Sequence, residues 1–249
     1  METICRDFYT QLFASCIAVP MPSLQQTDEH ILTVLISEIR HAVHQMKEGK
    51  SPGKDGLTAE VLKVGGQELW KALAQRFSRY LEIQKILSSW KESNTILLHK
   101  KGNRENLKNY CPICLLLHIY KLFTKIITNQ LSRNLDEQQP REQASFQRNY
   151  STIDHLFTLN QLLEHSRECK FPLCIAFVNY EKAFDSVETN TVLEALSEQG
   201  IIVKYITLLK EANSVCSTDI SLFDTPLRIP IEKSVKQGYN FTKIIHSLS

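Results

Sequence analysis

Ile31, Leu35, Ile39, Val43 and Met46 recur every three or four positions, the spacing that lines side chains up on one face of a helix. Thr27 or Asp28 can cap this helix and Gly49 can end it. Ahead of it, residues 1–26 show no clear period and read as a severed end. The run Ser51-Pro52-Gly53-Lys54-Asp55-Gly56 is rich in turn formers, and Leu69, Leu73, Phe77, Tyr80 and Leu81 mark a second helix. Residues 94–99, NTILLH, read as a short buried strand, and the basic turn Lys100-Lys101-Gly102-Asn103 after them suits a hairpin through Gly102.

An apolar stripe of Leu116, Tyr120, Phe123, Ile127 and Leu131 predicts a long helix within residues 113–135. The polar loop DEQQPREQ follows, then a helix over 152–165. Residues 172–178, PLCIAFV, are continuously apolar, as in a strand buried on both faces. Helices over 189–198 and 203–212, then strands over 219–223 and 227–231 joined by Asp224-Thr225-Pro226, complete the pattern. Strands and helices mixed in this order predict an α+β fold.

Composition narrows the class without naming a partner. With 249 residues, 43% hydrophobic and 22% charged, the chain can bury a sizeable core. A net charge of +2 is far from the blanket positive charge of a nucleic-acid-binding arm. The opening residues carry Glu2, Arg6 and Asp7, and the apolar run after them breaks at Pro20 and Pro22, so no signal peptide or membrane span is expected. Seven scattered cysteines in a chain of this size fit free thiols in a reducing compartment, and an intracellular location is expected.

Five segments, in order, carry a family likeness. KSPGKDGLTAEVLK is similar to GKAPGPDGITAELLK, and WKESNTILLHKKGNRENLKNYCPICLL to a block holding KKGDRED and NYRPISLL. EQASFQRNYSTIDH is similar to EQAGFRKGYSTIDH, CIAFVNYEKAFDSVETN to FVDYEKAFDSVE, and IPIEKSVKQG to IPIEKGVRQG. In these blocks the chain resembles the reverse transcriptases of non-LTR retrotransposons, especially the RTE type, over roughly residues 5–238. The resemblance implies a right-hand polymerase carrying fingers and a partial palm, without the second catalytic block and thumb. It divides the chain into a severed segment at 1–26, fingers with the start of the palm at 27–170, partial palm at 171–238 and a divergent tail at 239–249.

The implied chemistry is in-line phosphoryl transfer, in which Mg²⁺ ions held by carboxylates activate the primer hydroxyl and steady the leaving pyrophosphate. Where the family places the first carboxylate, this chain has Asn179, which offers a carbonyl oxygen but no negative charge. The family's two later aspartates have no counterpart before Ser249, and Asp185 lies six residues past Asn179. The resemblance therefore implies a truncated, degenerate copy that does not polymerise, with Mg²⁺ a cofactor of the family only.

By the same resemblance, Phe184 stands at the sugar 2′ position, Lys100 and Lys101 meet phosphate, and Gln237 and Gly238 lead into the next nucleotide-binding block. Without the family, Phe184 reads as a core aromatic and the two lysines as a solvated turn. Cys111 replaces a family arginine, and Ser145, Gln147 and Asn149 replace two glycines and an arginine. RNA template and DNA primer are the implied partners, and no membrane is. A non-catalytic RNA-binding remnant and an unstable product without function remain as alternative roles.

Rival motifs are weaker. Cys111-Pro112-Ile113-Cys114 has zinc-ligand spacing, near His99 and His118, but no second pair completes it. His41 and His44 lack an adjacent carboxylate motif and read as surface histidines, and SPGKDG lacks the spacing of a P-loop.

Overall fold

Cys5, Tyr9 and Phe13 stand four residues apart and are all buried, which makes one apolar edge of helix α1 (Glu2–Phe13). The computed structural model describes residues 2–15, 17–22, 31–137, 151–179, 185–222 and 225–233. The opening residues, in which no period is legible at first reading, thus form a packed helix. The Phe13 carbonyl accepts the N–H groups of Glu232 and Lys233 at 3.0 and 3.1 Å, which satisfies an orphan acceptor at the helix end.

Helix α2 (Ile36–His44) begins later than the apolar spacing predicts. Leu35 is extended at ψ 149°, and its N–H donates to the Glu38 carboxylate at 2.8 Å, so Leu35 caps the helix instead of lying in it. Thr27 and Asp28, the expected caps, lie outside the described residues. Ile39, Ala42 and Val43 are buried against α4 (Gly66–Ile83) and α5 (His118–Glu137). A short helix, α3 (Ala59–Val64), precedes α4.

At the centre of the core, Trp90 lies 5.2 Å from the ring centroids of both Phe123 and Tyr120 and 5.3 Å from Tyr80. Trp90 lies in the helical turn Ser88–Lys91, Tyr80 on α4 and Tyr120 and Phe123 on α5, and their shared burial ties these segments into one core. Helix α6 (Thr152–Glu168) differs, because none of its side chains is buried. Helices α7 (Thr189–Glu198) and α8 (Val203–Asn213) return to the core. Tyr205 donates to Gln130 Oε1 at 2.9 Å and Gln130 to Glu38 at 3.1 Å, linking α8, α5 and α2; burial pushes the Tyr205 hydroxyl up to about 12.

The sheet has four strands in the order β2-β1-β3-β4, from β1 (Glu92–His99), β2 (Tyr110–Leu115), β3 (Cys216–Ile220) and β4 (Leu227–Ile231). β1 and β2 form the antiparallel hairpin predicted through Gly102, β1 and β3 run parallel, and β3 and β4 antiparallel. At the parallel seam the buried hydroxyls of Thr95 and Thr218 lie 2.7 Å apart. Helices and a mixed sheet make the fold α+β.

Three strand expectations are corrected. The strand expected over 219–223 is β3, which begins three residues earlier and ends at Ile220. β1 is not buried throughout: Ser93 and Thr95 are, while Ile96 and Leu98 turn to an open face, 40% and 49% exposed. Residues 172–178 are neither a strand nor buried, and Ile175 and Phe177 are 42% and 82% exposed. An apolar run becomes a strand only when a neighbouring chain segment takes up its backbone hydrogen bonds, and none does so among the described residues.

Candidate nucleic-acid interface

The loop between β1 and β2 is built by its own asparagines. Lys100 N–H donates to the Asn109 carbonyl at 2.9 Å and closes the hairpin above the pair His99 and Tyr110. Asn103 Oδ1 accepts the Glu105 N–H at 2.9 Å, Asn106 Oδ1 accepts the Lys108 N–H at 3.0 Å, and Asn109 Nδ2 donates to the Asn103 carbonyl at 2.9 Å. Such side chain to backbone bonds fix turns that ladder bonds cannot reach. Gly102 has φ +87°, and a Cβ there would meet Asn109 Nδ2 at 2.8 Å, so glycine is required at this bend.

The result is a rigid loop that presents cations. Lys100, Lys101, Arg104 and Lys108 are exposed, with Glu105 the one anion in the loop, and none of these side chains enters an ion pair among the described residues. Tyr110 Oη donates to the Arg104 carbonyl at 2.9 Å and anchors that corner. Beneath lies a hollow of about 470 Å³, lined by Ile4, Cys5, Leu97, Leu107, Tyr110 and Leu222, with Arg104 and Glu105 also facing it. Unpaired cations on a fixed backbone are suited to phosphate oxygens. Arg104 and Lys108 were not singled out in sequence; their signal is four cations within nine residues, and their convergence depends on the asparagine turns.

A second loop, residues 51–57, is tied down differently. Gly53 approaches the residues just before α5 so closely that a Cβ would lie 2.8 Å from Leu117 N, and Gly56 turns at φ +68°. Lys54 Nζ reaches Asp219 at 2.6 Å and Glu92 at 3.1 Å, and Arg228 reaches Glu92 at 2.8 Å. This charge ladder crosses the open face of β1, β3 and β4, and it occupies the Lys54 charge internally. Nearby, hydrogen bonds from the Thr58 side chain and the Gly49 N–H hold the Glu60 carboxyl down at about 2.

Of the residues expected at a nucleotide site, Lys100, Lys101 and Asn179 are described; Phe184, Gln237 and Gly238 lie outside the described residues, as do Ser145, Gln147 and Asn149. Asn179 is exposed, and no hydrogen bond or ion pair joins it to Lys100 or Lys101. Asp185 is buried at 6% exposure. A neutral, solvent-facing carboxamide at 179 does not fit the anionic oxygen donors that Mg²⁺ chemistry needs. No three His, Cys, Asp or Glu side chains group to hold a metal ion among the described residues.

The rival motifs resolve into ordinary packing. Cys111 stands opposite Leu98 and Cys114 opposite Thr95, so the two thiols point to opposite faces of β2. No disulfide joins the described cysteines to one another, and Cys16 lies outside the described residues. His41 Nε2 lies 2.6 Å from Gln45 Nε2, and His44 packs edge-on to Trp70 at 5.6 Å. Among the described residues no helix is long and apolar enough to cross a membrane.

No family model matches the chain. It is 26% identical over 261 residues to the transposon TX1 uncharacterized 149 kDa protein of Xenopus laevis, an alignment covering 98% of this chain and 20% of that protein. The probable RNA-directed DNA polymerase from transposon BS of Drosophila melanogaster is 28% identical over 63% of this chain and 18% of its own length. The Pol polyprotein from the type-1 retrotransposable element R2 of Popillia japonica is 26% identical over 81% of this chain and 27% of its own length. The chain thus spans 20% and 18% of the first two of these relatives. These relatives are proteins of non-LTR retrotransposons, and the homology to their RNA-directed DNA polymerases marks the chain as related to reverse transcriptases.

Proposed function

We propose that this chain, a relative of non-LTR retrotransposon proteins, is a reverse-transcriptase-related polypeptide that holds nucleic-acid backbone on its β1–β2 loop and does not polymerise. In this reading residues 27–170 are fingers with the start of the palm and residues 171–238 are part of the palm. Lys100 and Lys101 face phosphate, joined by Arg104 and Lys108. Phe184, Gln237 and Gly238 keep family positions beside a nucleotide.

The observation that carries the binding half is the asparagine-fixed, cation-bearing loop, whose charges no carboxylate among the described residues pairs with. Phosphate contacts of this kind carry affinity without base specificity and make it depend on salt. The non-catalytic half rests on Asn179, where the charge needed for Mg²⁺ is missing. No reaction step is assigned to the chain.

Both halves can be tested together. On a primed RNA template, we expect salt-sensitive retention and no primer extension with Mg²⁺ or Mn²⁺. Replacing Lys100, Lys101, Arg104 and Lys108 by Gln should flatten the slope of log affinity against log salt by about 3, on a scale of roughly 0.7 per phosphate contact. Extension by the unmodified chain would overturn the account of residue 179, and an unchanged salt slope would overturn the role of the loop.

A further inference from the structure

Helix α1 and the β1–β2 loop enclose two hollows that share a wall. The hollow of about 470 Å³ beneath the loop cations has Tyr110 and Arg104 in its lining, and a second, of about 400 Å³, has Phe8 and Lys108. Ile4, Glu105 and Leu107 line both, so the two adjoin across these side chains. Each hollow therefore has one aromatic ring and one cation, and they share one carboxylate. Both rings are braced by a neighbour: Tyr110 stands edge-on to His99 at 5.2 Å, and Phe8 edge-on to Tyr9 at 5.1 Å. The bond from Tyr110 Oη to the Arg104 carbonyl fixes the first ring relative to its cation as well.

These linings specify an occupant. The rings and the aliphatic side chains of Ile4 and Leu107 accept a flat apolar body. Glu105 can only accept hydrogen bonds when ionised, so it repels a phosphate inside the hollows and receives an N–H on the edge of whatever enters. Arg104 and Lys108, with Lys100 and Lys101 in the same loop, call for negative charge beside each apolar body. An unpaired nucleotide strand offers all three, because its bases have a π face and N–H edges and a phosphate lies between successive bases. In a duplex the same faces and edges are already stacked and paired.

We propose that the two hollows take successive unpaired bases of a single-stranded RNA, one against Tyr110 and the next against Phe8, with the adjoining phosphates on Arg104 and Lys108. The inference rests on the reading of the β1–β2 loop as a nucleic-acid site and extends that site onto α1. It makes the bases, and not the backbone alone, a source of affinity.

The test is fluorescence anisotropy of the full chain with two labelled RNA strands of equal length, one intact and one abasic throughout, across a salt series. Stacking on an aromatic side chain is worth roughly 5- to 150-fold in affinity per base, so the abasic strand should bind more weakly at a similar salt slope. Phe8→Leu and Tyr110→Leu, checked for fold by circular dichroism, should each weaken the intact strand at least about fivefold and leave the abasic strand unchanged. Tyr110→Phe keeps the ring and should lose less than Tyr110→Leu. Equal, salt-dependent binding of both strands by the unmodified chain would overturn the inference while leaving the loop reading in place, and it needs no variant to be read. A preference for the intact strand that both leucine variants keep would place the bases elsewhere and overturn it too. No salt-dependent binding of either strand would overturn the loop reading and this inference with it.

Discussion

Lys54 Nζ lies 2.6 Å from Asp219 Oδ2 and so joins the loop before α3 to the middle of β3, across 165 positions of sequence. Burial alone would lower the Lys54 pKa, but its hydrogen bonds to Asp219 and Glu92 outweigh that and leave it raised. Both partners remain partly exposed, at 30% and 22%, so solvent screens the pair. A double-mutant cycle with Lys54→Met and Asp219→Asn should give a coupling of about 0.5–1 kcal/mol in urea melts, shrinking at high salt. A coupling of zero at low salt would mean that Asp219 does not hold the loop and would leave Glu92 and the Gly53–Leu117 approach to do so.

Trp90 is 3% exposed and touches four aromatic rings, those of Phe77, Tyr80, Tyr120 and Phe123. Trp90→Ala should cost about 3–5 kcal/mol, a large share of the ~5–15 kcal/mol that holds a domain folded. Trp90→Phe keeps part of the contacts and should cost less. Chemical denaturation followed by circular dichroism checks the order, and equal losses would show that the site relaxes around either residue.

Several elements were legible because burial and periodicity coincide in them. Phe77 and Leu81 on α4, and Tyr120, Phe123 and Ile127 on α5, lie in the core where their spacing predicts. Where a local choice competes with the pattern, the reading failed. Leu35 fits the apolar stripe of α2 but caps the helix, because Glu38 takes its N–H, and Cys5, Tyr9 and Phe13 form a stripe too short and mixed to stand out. Residues 172–178 have a strand's composition, yet a strand also needs a partner that no local sequence names. At the loop, the charges of Lys100 and Lys101 were visible, whereas the turns by which Asn103, Asn106 and Asn109 gather Arg104 and Lys108 were not.

His118 opens α5 at 2% exposure, and among the described residues its Nδ1 has no hydrogen-bond partner. Burial, then the Lys121 charge, hold its pKa below the usual 6.5 against the pull of the Leu57 backbone, Asp55 and Glu60. The unfolded chain therefore takes up this proton at higher pH than the folded one, and protonation favours unfolding. Stability should fall as pH drops from 6.5 toward the folded value, by at most about 1.4 kcal/mol per pH unit for one proton, and level off below it. His118→Gln should flatten urea midpoints across that window; an undiminished slope would assign the effect to another group.

Gly102→Ala separates the shape of the β1–β2 loop from its charge. The substitution leaves Lys100, Lys101, Arg104 and Lys108 in place but puts a Cβ at φ +87°, 2.8 Å from Asn109 Nδ2. Asn109 must then give up its bond to the Asn103 carbonyl, which also accepts the Asn106 N–H, so the turns that aim the cations loosen together. Left-handed backbone without glycine costs about 1 kcal/mol or more, a loss that should be visible in thermal melts. If pre-organisation of the cations matters, RNA affinity should fall severalfold while the salt slope stays near wild type, because the number of phosphate contacts is unchanged. A lower slope at equal affinity would instead mean that a cation had left the interface, and no change in either would mean that charge alone, without the asparagine-built shape, holds the nucleic acid.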